Sequence, residues 1–139
     1  MKKNYLYILL FFCFSLVSCF DDDAIEYNIT KYNGKWLWLK TVGGFGPTLS
    51  TPKEGETIKI SFDDHLSEFS ISRNDTTKVT AKFKVEKAED GRDKISYTNV
   101  ATWDYYFNSE PNYTQIKTDT LEIWDGMIDG YFSFYKKID

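Results

Sequence analysis

The sequence predicts an all-β domain, an eight-stranded antiparallel up-and-down β-barrel, on the evidence of three observations. Apolar and polar residues alternate with a period of two in several short runs, most clearly in Val79–Lys87. Turn residues such as Asp90-Gly91 and Asp129-Gly130 separate the runs at short, even spacing. No window carries a convincing amphipathic helix pattern of useful length. Together these features favour a meander of short strands.

Eight segments carry the strand pattern. They are residues 34–42, 56–62, 66–73, 78–87, 93–98, 112–117, 120–125 and 130–137. Eight strands can close into a barrel whose interior is filled by side chains or holds one small ligand. Closure also removes exposed strand edges, which are an aggregation hazard in a chain that is 18% aromatic.

Alternation further predicts which side chains point into the barrel. The predicted inward residues are Trp38, Ile58, Ile60, Phe62, Phe69, Ile71, Val79, Ala81, Phe83, Val85, Ile123, Phe132 and Phe134. An interior of this kind fits either a packed core or a pocket for a small apolar ligand. The sequence leaves both alternatives open.

Two connections are longer than the others. Residues 43–55 are rich in Gly and Pro, which predicts a flap without regular structure at the mouth of the barrel. Residues 99–111 hold four nearly adjacent aromatic side chains, which predict either a partner or glycan contact or a cap on the barrel. The candidate residues for a ligand or partner are Trp38, Phe45, Trp103, Tyr105, Tyr106 and Phe107.

The first 18 residues differ from the rest of the chain. Two lysines precede the apolar run Leu6–Val17, which is too short to span a bilayer comfortably and is typical of a signal peptide. The following Leu16-Val17-Ser18-Cys19 resembles a bacterial lipobox. That resemblance implies cleavage before Cys19 and acylation of Cys19 with palmitate-type chains, so the expected partner is a membrane. Two acyl chains anchor a protein stably, whereas one is marginal.

An acidic cluster, Asp21, Asp22 and Asp23, follows the Cys. It resembles the export signal that sends lipoproteins of Bacteroidota to the cell surface, and it also fits a solvated tether. We therefore expect an outer-membrane lipoprotein that faces the cell surface, with the periplasmic face as the alternative. The predicted organisation is a signal peptide at 1–18, an acidic flexible tether at 19–30 and a barrel domain at 31–139.

Gly34 and Trp36 open the first predicted strand as G-x-W, which resembles the lipocalin signature. The family's Trp packs across the closed end of the barrel beneath a basic residue of the last strand. The resemblance implies a Trp36–Lys136 pair, worth on the order of 0.5–2 kcal/mol. With the lipobox, a Gly-Gly loop, Thr51-Pro52 and a late Asp-Gly, the domain is similar to lipocalin-like lipoproteins of Bacteroidota.

The composition argues against several classes of chemistry. A formal net charge of −4 argues against nucleic acid as a partner, and one His with two Cys argues against most His- or Cys-based metal sites. His65 lies in a predicted hairpin tip with no nucleophile motif, so we expect neither an enzyme nor a cofactor. The expected function is non-catalytic binding of a small apolar ligand or an envelope component. The alternative is a filled barrel that presents an aromatic loop to a protein or glycan.

Overall fold

The computed structural model describes residues 29–44, 48–98 and 112–139, which form antiparallel strands and one 3-10 turn, Ile29–Tyr32. The strands are β1 (Gly34–Gly43), β2 (Thr48–Ser50), β3 (Ile58–Asp63), β4 (Glu68–Arg73), β5 (Thr76–Lys87), β6 (Asp93–Thr98), β7 (Asn112–Lys117), β8 (Thr120–Trp124) and β9 (Tyr131–Lys137). Their bounds agree closely with the eight predicted segments. The 3-10 turn begins inside the stretch assigned to the tether, because Ile29 packs against the core.

Sequential antiparallel pairing joins β1 to β3 and then each strand to the next, as far as β9. The pairing of β1 with β9 closes the ring. The predicted eight-stranded up-and-down barrel is therefore confirmed. One residue, Leu39, is bulged where β1 faces β9, and it leaves Trp38 and Thr41 on the same face of β1.

The prediction that 43–55 lacks regular structure is wrong for four of its residues, of which Gly43 ends β1. Thr48–Ser50 form β2, which pairs with Thr41–Gly43 on the edge of β1 that β3 leaves uncovered. Gly43 is required at this turn: its φ is +122°, and an added Cβ would lie 2.0 Å from the Gly130 carbonyl oxygen. Glycine thus permits the close approach of two loops without preventing the strand that follows.

The strands alternate in direction, which defines two ends of the barrel. The closed end is the one where β1 begins, and the turn Ile29–Tyr32 lies there together with the hairpins that follow β3, β5 and β7. The far end is the one where β1 finishes. It carries β2, the β4–β5 hairpin and the 125–130 turn.

Aromatic rings pack against each other inside the barrel. The Phe62 ring centroid lies 5.2 Å from that of Phe69 and 5.1 Å from that of Phe83, and Phe69 lies 4.6 Å from Tyr97. Tyr32 adds a fifth ring, 6.1 Å from Phe62. Such contacts contribute about 0.5–1.5 kcal/mol per pair beyond the area that they bury.

Most of the predicted inward set is buried, Ile58 is half-buried against the core, and two members point outward instead. Phe132 is 39% exposed and Phe134 is half-buried, because both lie on the outer face of β9. Directly opposed residues of paired strands share a face, and the partners of buried Trp38 and Thr41 on β9 are Tyr135 and Ser133. The inward residues of β9 are therefore the odd-numbered ones.

We predict that Phe69→Ala lowers the free energy of unfolding by about 3–5 kcal/mol, because it removes a fully buried ring from the centre of this packing. The measurement is urea denaturation followed by tryptophan fluorescence. Phe132→Ala is the matched control, and we expect it to cost less than about 1.5 kcal/mol. Equal losses for the two variants would contradict the assignment of their faces.

Candidate functional site

A buried carboxylate organises the closed end. Asp93, whose side chain is 4% exposed, accepts a hydrogen bond of 2.6 Å from the Tyr32 hydroxyl and forms ion pairs with Lys31 and Lys87. The Trp36 indole Nε1 donates to the Tyr32 carbonyl oxygen at 2.8 Å. We call Asp93, Tyr32, Lys31 and Lys87 the Asp93 cluster. It joins the 3-10 turn to the barrel at β5 and β6.

The basic residue over Trp36 is Lys137, and the predicted Trp36–Lys136 pair is wrong. The Lys137 Nζ lies 5.2 Å from the Trp36 ring centroid and donates to the Asn33 carbonyl oxygen at 3.0 Å. Lys136 is exposed. The reason is the strand register, in which Lys137 lies opposite buried Trp36 and therefore shares its face.

Small hydroxyl side chains also point into the interior, with Thr41 and Ser133 on the paired strands β1 and β9 and Thr114 opposite Asp93. The Trp38 indole Nε1 donates to Thr41 Oγ1 at 3.0 Å, and Thr41 Oγ1 lies 2.8 Å from Ser133 Oγ. Thr114 Oγ1 donates to the Glu122 carbonyl oxygen at 3.1 Å. Sequence alternation missed these polar groups, because Ser133 stands between two Phe residues and Thr41 follows the bulge. Trp38, a predicted ligand candidate, is only 7% exposed and uses its polar atom within this network.

The interior also contains a deeply buried phenol. Burial raises the pKa of Tyr97 well above its ordinary value, and the neighbouring Tyr135 raises it further. Tyr97 is therefore a neutral side chain at physiological pH. Its neighbours are the rings of Phe69, Phe83 and Tyr135, so this region offers aromatic packing.

Three aromatic side chains form a row across the outer face of β7, β8 and β9. Trp124 lies 5.8 Å from Tyr113 and 5.8 Å from Phe132 between ring centroids, with interplanar angles of 21° and 10°. The Arg92 guanidinium lies 4.2 Å from the Tyr113 ring centroid. At Gly126 an added Cβ would lie 2.5 Å from the Tyr113 ring. We call Tyr113, Trp124 and Phe132 the outer aromatic row.

Exposed aliphatic side chains lie next to this row at the far end. Val42 on β1 lies opposite Phe132 on β9 and opposite Leu49 on β2. Leu49 is 63% exposed. The turn that follows Trp124 carries Met127, 61% exposed, and Ile128, fully exposed. The outer aromatic row and these aliphatic residues give the far end an apolar outer surface.

The other predicted site residues lie outside the described residues. They are Cys19, Asp21, Asp22, Asp23, Phe45, Trp103, Tyr105, Tyr106 and Phe107. His65 is described and lies exposed in the β3–β4 hairpin, as expected for a solvated turn. In the described ranges, no group of three or more His, Cys, Asp or Glu side chains is placed to hold a metal ion.

No protein-family model, curated protein or solved structure matches this chain. The described part of the chain contains no helix with the length and apolar character that a membrane span requires.

We predict that Thr41→Val lowers the free energy of unfolding by about 1–3 kcal/mol, because it leaves the buried Trp38 Nε1 without its acceptor. Urea denaturation measures the loss. Thr80→Val is the control, since Thr80 is exposed on β5, and we expect a change within about 0.5 kcal/mol. A neutral Thr41→Val would show that the hydroxyl network does not stabilise the barrel.

Proposed function

We propose that this chain is a lipid-anchored protein of the outer membrane whose lipocalin-like barrel is a non-catalytic interaction domain. In this proposal the interior of the barrel is a structural core. The outer surface at the far end is what a partner in the cell envelope contacts.

The observation that carries the proposal is the filling of the barrel. Most of the described side chains that point inward are at most 8% exposed, and the inward Ile58 and Ile116 are half-buried against them, so little water-sized space adjoins the core. The rings of Phe83, Phe62, Phe69 and Tyr97 pack one against the next in that order. A carrier of a drug-sized molecule needs a pocket of several hundred cubic ångströms. Packing of this density supports a structural core instead.

The outer surface supplies the second line of support. Leu49, Met127 and Ile128 expose aliphatic side chains beside the outer aromatic row. Adjacent exposed apolar side chains mark interaction sites more often than isolated ones do, and Trp, Tyr and Arg dominate the energetics of protein interfaces. Trp124 is itself buried between Tyr113 and Phe132, so the accessible part of the row consists of those two rings.

A second candidate function, a carrier of a small apolar ligand, has its own observation. The inward side chains of Thr41, Thr114 and Ser133 are small, in contrast to the rings nearer the closed end. A ligand inside the barrel would lie against these hydroxyls and the Trp38 indole. This candidate function retains the predicted apolar ligand, and its binding site would lie beside these side chains.

Organic extraction of the purified mature domain, followed by mass spectrometry, separates the two candidates. We expect no stoichiometric lipid and no saturable fluorescence increase with the apolar dye N-phenyl-1-naphthylamine, because the interior is filled. A co-purified lipid that is lost in Ser133→Leu would overturn the filled-barrel proposal and favour the carrier. Ser70→Leu, on the outer face of β4, is the matched control for that variant.

The anchor is tested by substitution of its cysteine. We expect Cys19→Ala to release the protein from membrane fractions and to abolish labelling with a palmitate analogue, because acylation requires that thiol. Cys13→Ala is the matched control, since Cys13 belongs to the predicted signal peptide, and it should stay membrane-bound. Continued labelling of Cys19→Ala would refute the anchor.

The proposal also places the domain on the cell surface, through the acidic cluster Asp21, Asp22 and Asp23. In the same cells that test the anchor, added protease should digest the domain of the unaltered protein. Full protection would assign the domain to the periplasmic face instead.

A further inference from the structure

The turn Ile29–Tyr32 is held to the closed end of the barrel by several independent contacts. Tyr32 is fully buried, and its hydroxyl and carbonyl oxygen are bound by Asp93 and Trp36. Lys137 binds the carbonyl oxygen of Asn33, the residue after the turn. The chain before Ile29 therefore leaves the barrel from the closed end.

The Asp93 cluster fixes the point at which the chain leaves the barrel, because its contacts are tertiary. Asp93 begins β6, whereas Lys31 and Tyr32 belong to the turn, so the hydrogen bond and ion pair connect segments about sixty residues apart in sequence. Lys87, at the end of β5, binds the second carboxylate oxygen. A carboxylate this deeply buried is stable only with such partners. Removal of the carboxylate would leave the turn held by fewer contacts.

We propose that the Asp93 cluster fixes the tether to the closed end, so that the closed end of the anchored protein faces the membrane. Its far end, with Leu49, Met127 and Ile128, then faces away from the membrane. This orientation rests on the proposed attachment to a membrane through the residues before Ile29. It assigns the lipid-facing side to the closed end and the partner-facing side to the far end.

The length of the tether supports the orientation. Residues 19–28 reach at most about 35 Å when fully extended. The strands of the ring have 5 to 12 residues, so with a rise of about 3.3 Å and a tilt of about 40° they span about 13–30 Å along the barrel axis. Contact of the far end with the bilayer would use that length of the tether and restrict its conformations. It therefore costs more conformational entropy than contact by the closed end.

The test uses the mature chain without its cysteine, Cys19→Ser, attached to vesicles by an N-terminal hexahistidine tag and a nickel-chelating lipid. Attachment is then independent of acylation, so failure of the lipid anchor and failure of the orientation are distinguishable. The chain has no other cysteine after residue 19. A single fluorescent label can therefore be placed at either end, with His65→Cys for the closed end and Thr76→Cys for the far end. Both positions are exposed hairpin residues.

The readout is energy transfer from each label to an acceptor lipid in phosphatidylcholine vesicles. We expect transfer from the His65→Cys label to exceed that from the Thr76→Cys label by at least about twofold, because the six-residue β4 separates the two hairpins by about 20 Å. Equal transfer, or higher transfer from Thr76→Cys, would overturn the proposed orientation.

The role of the cluster is tested with Asp93→Asn in the same two labelled chains. We expect the difference between the two labels to shrink and trypsin to cleave faster after Lys31, because the turn is released. Slow cleavage after Lys84, within β5, shows that the barrel remains folded. Asp90→Asn is the matched control, an exposed carboxylate in the neighbouring hairpin that pairs with Arg92. If Asp93→Asn behaves like Asp90→Asn, the cluster does not fix the tether.

Discussion

The pairing of β1 with β9 is the constraint on which the rest of this structure depends. It closes the sheet, and because opposed residues share a face, it also decides which side chains of both strands lie inside. With Trp36 buried, Lys137 must lie over it, and with Thr41 buried, Ser133 must face it. The bulged residue between Trp38 and Lys40 is part of this constraint, because it keeps the indole of Trp38 and the hydroxyl of Thr41 on the same side.

A barrel that is closed in this way can be stable without a disulfide. The chain has no cysteine after Cys19, so the described domain is held by noncovalent packing and hydrogen bonds. Large rings supply most of that burial at the centre. Among the residues that the structure describes, the buried polar side chains other than Asp93 are neutral: Thr41, Asn112, Thr114 and Ser133. The Asp93 carboxylate is paired with two partly exposed lysines and a phenol, which offsets the cost of its desolvation.

Much of the fold was predictable from the sequence, because most strands have one buried face and one solvent-exposed face. β5 shows this best, since its even-numbered residues are polar and its buried residues are apolar. β9 was not predictable in this way. Phe132, Phe134 and Tyr135 are aromatic on both faces, so hydrophobicity does not choose between the faces and only the register with β1 does. For the same reason, the sequence alone could not show that Lys137, and not Lys136, packs over Trp36.

The candidate site was less predictable than the fold. Asp93 follows a turn, so its sequence position suggests a solvent-exposed carboxylate. Its burial depends on the side chains of Tyr32 and Lys31, which are distant along the chain. The outer aromatic row has the same character, because Tyr113, Trp124 and Phe132 become neighbours only when β7, β8 and β9 pair. The lipid anchor depends on a sequence motif alone.

The two ends of the barrel differ, and the difference argues for division of roles between them. At the closed end, polar groups are used internally: Asp93, Trp36 and Lys137 all bind the turn or the residue after it. At the far end, Leu49, Met127 and Ile128 expose apolar side chains beside Phe132, whereas the exposed Leu66 and Ile138 of the closed end lie apart, in the β3–β4 hairpin and after β9. Evolution of a filled barrel toward binding can proceed on its outer surface without disturbance of the core, since outward residues alternate with inward ones along each strand. The interior then sets stability and the exposed face of the far end sets recognition, so substitutions at Ile128 and at Phe69 should affect separable properties of the protein.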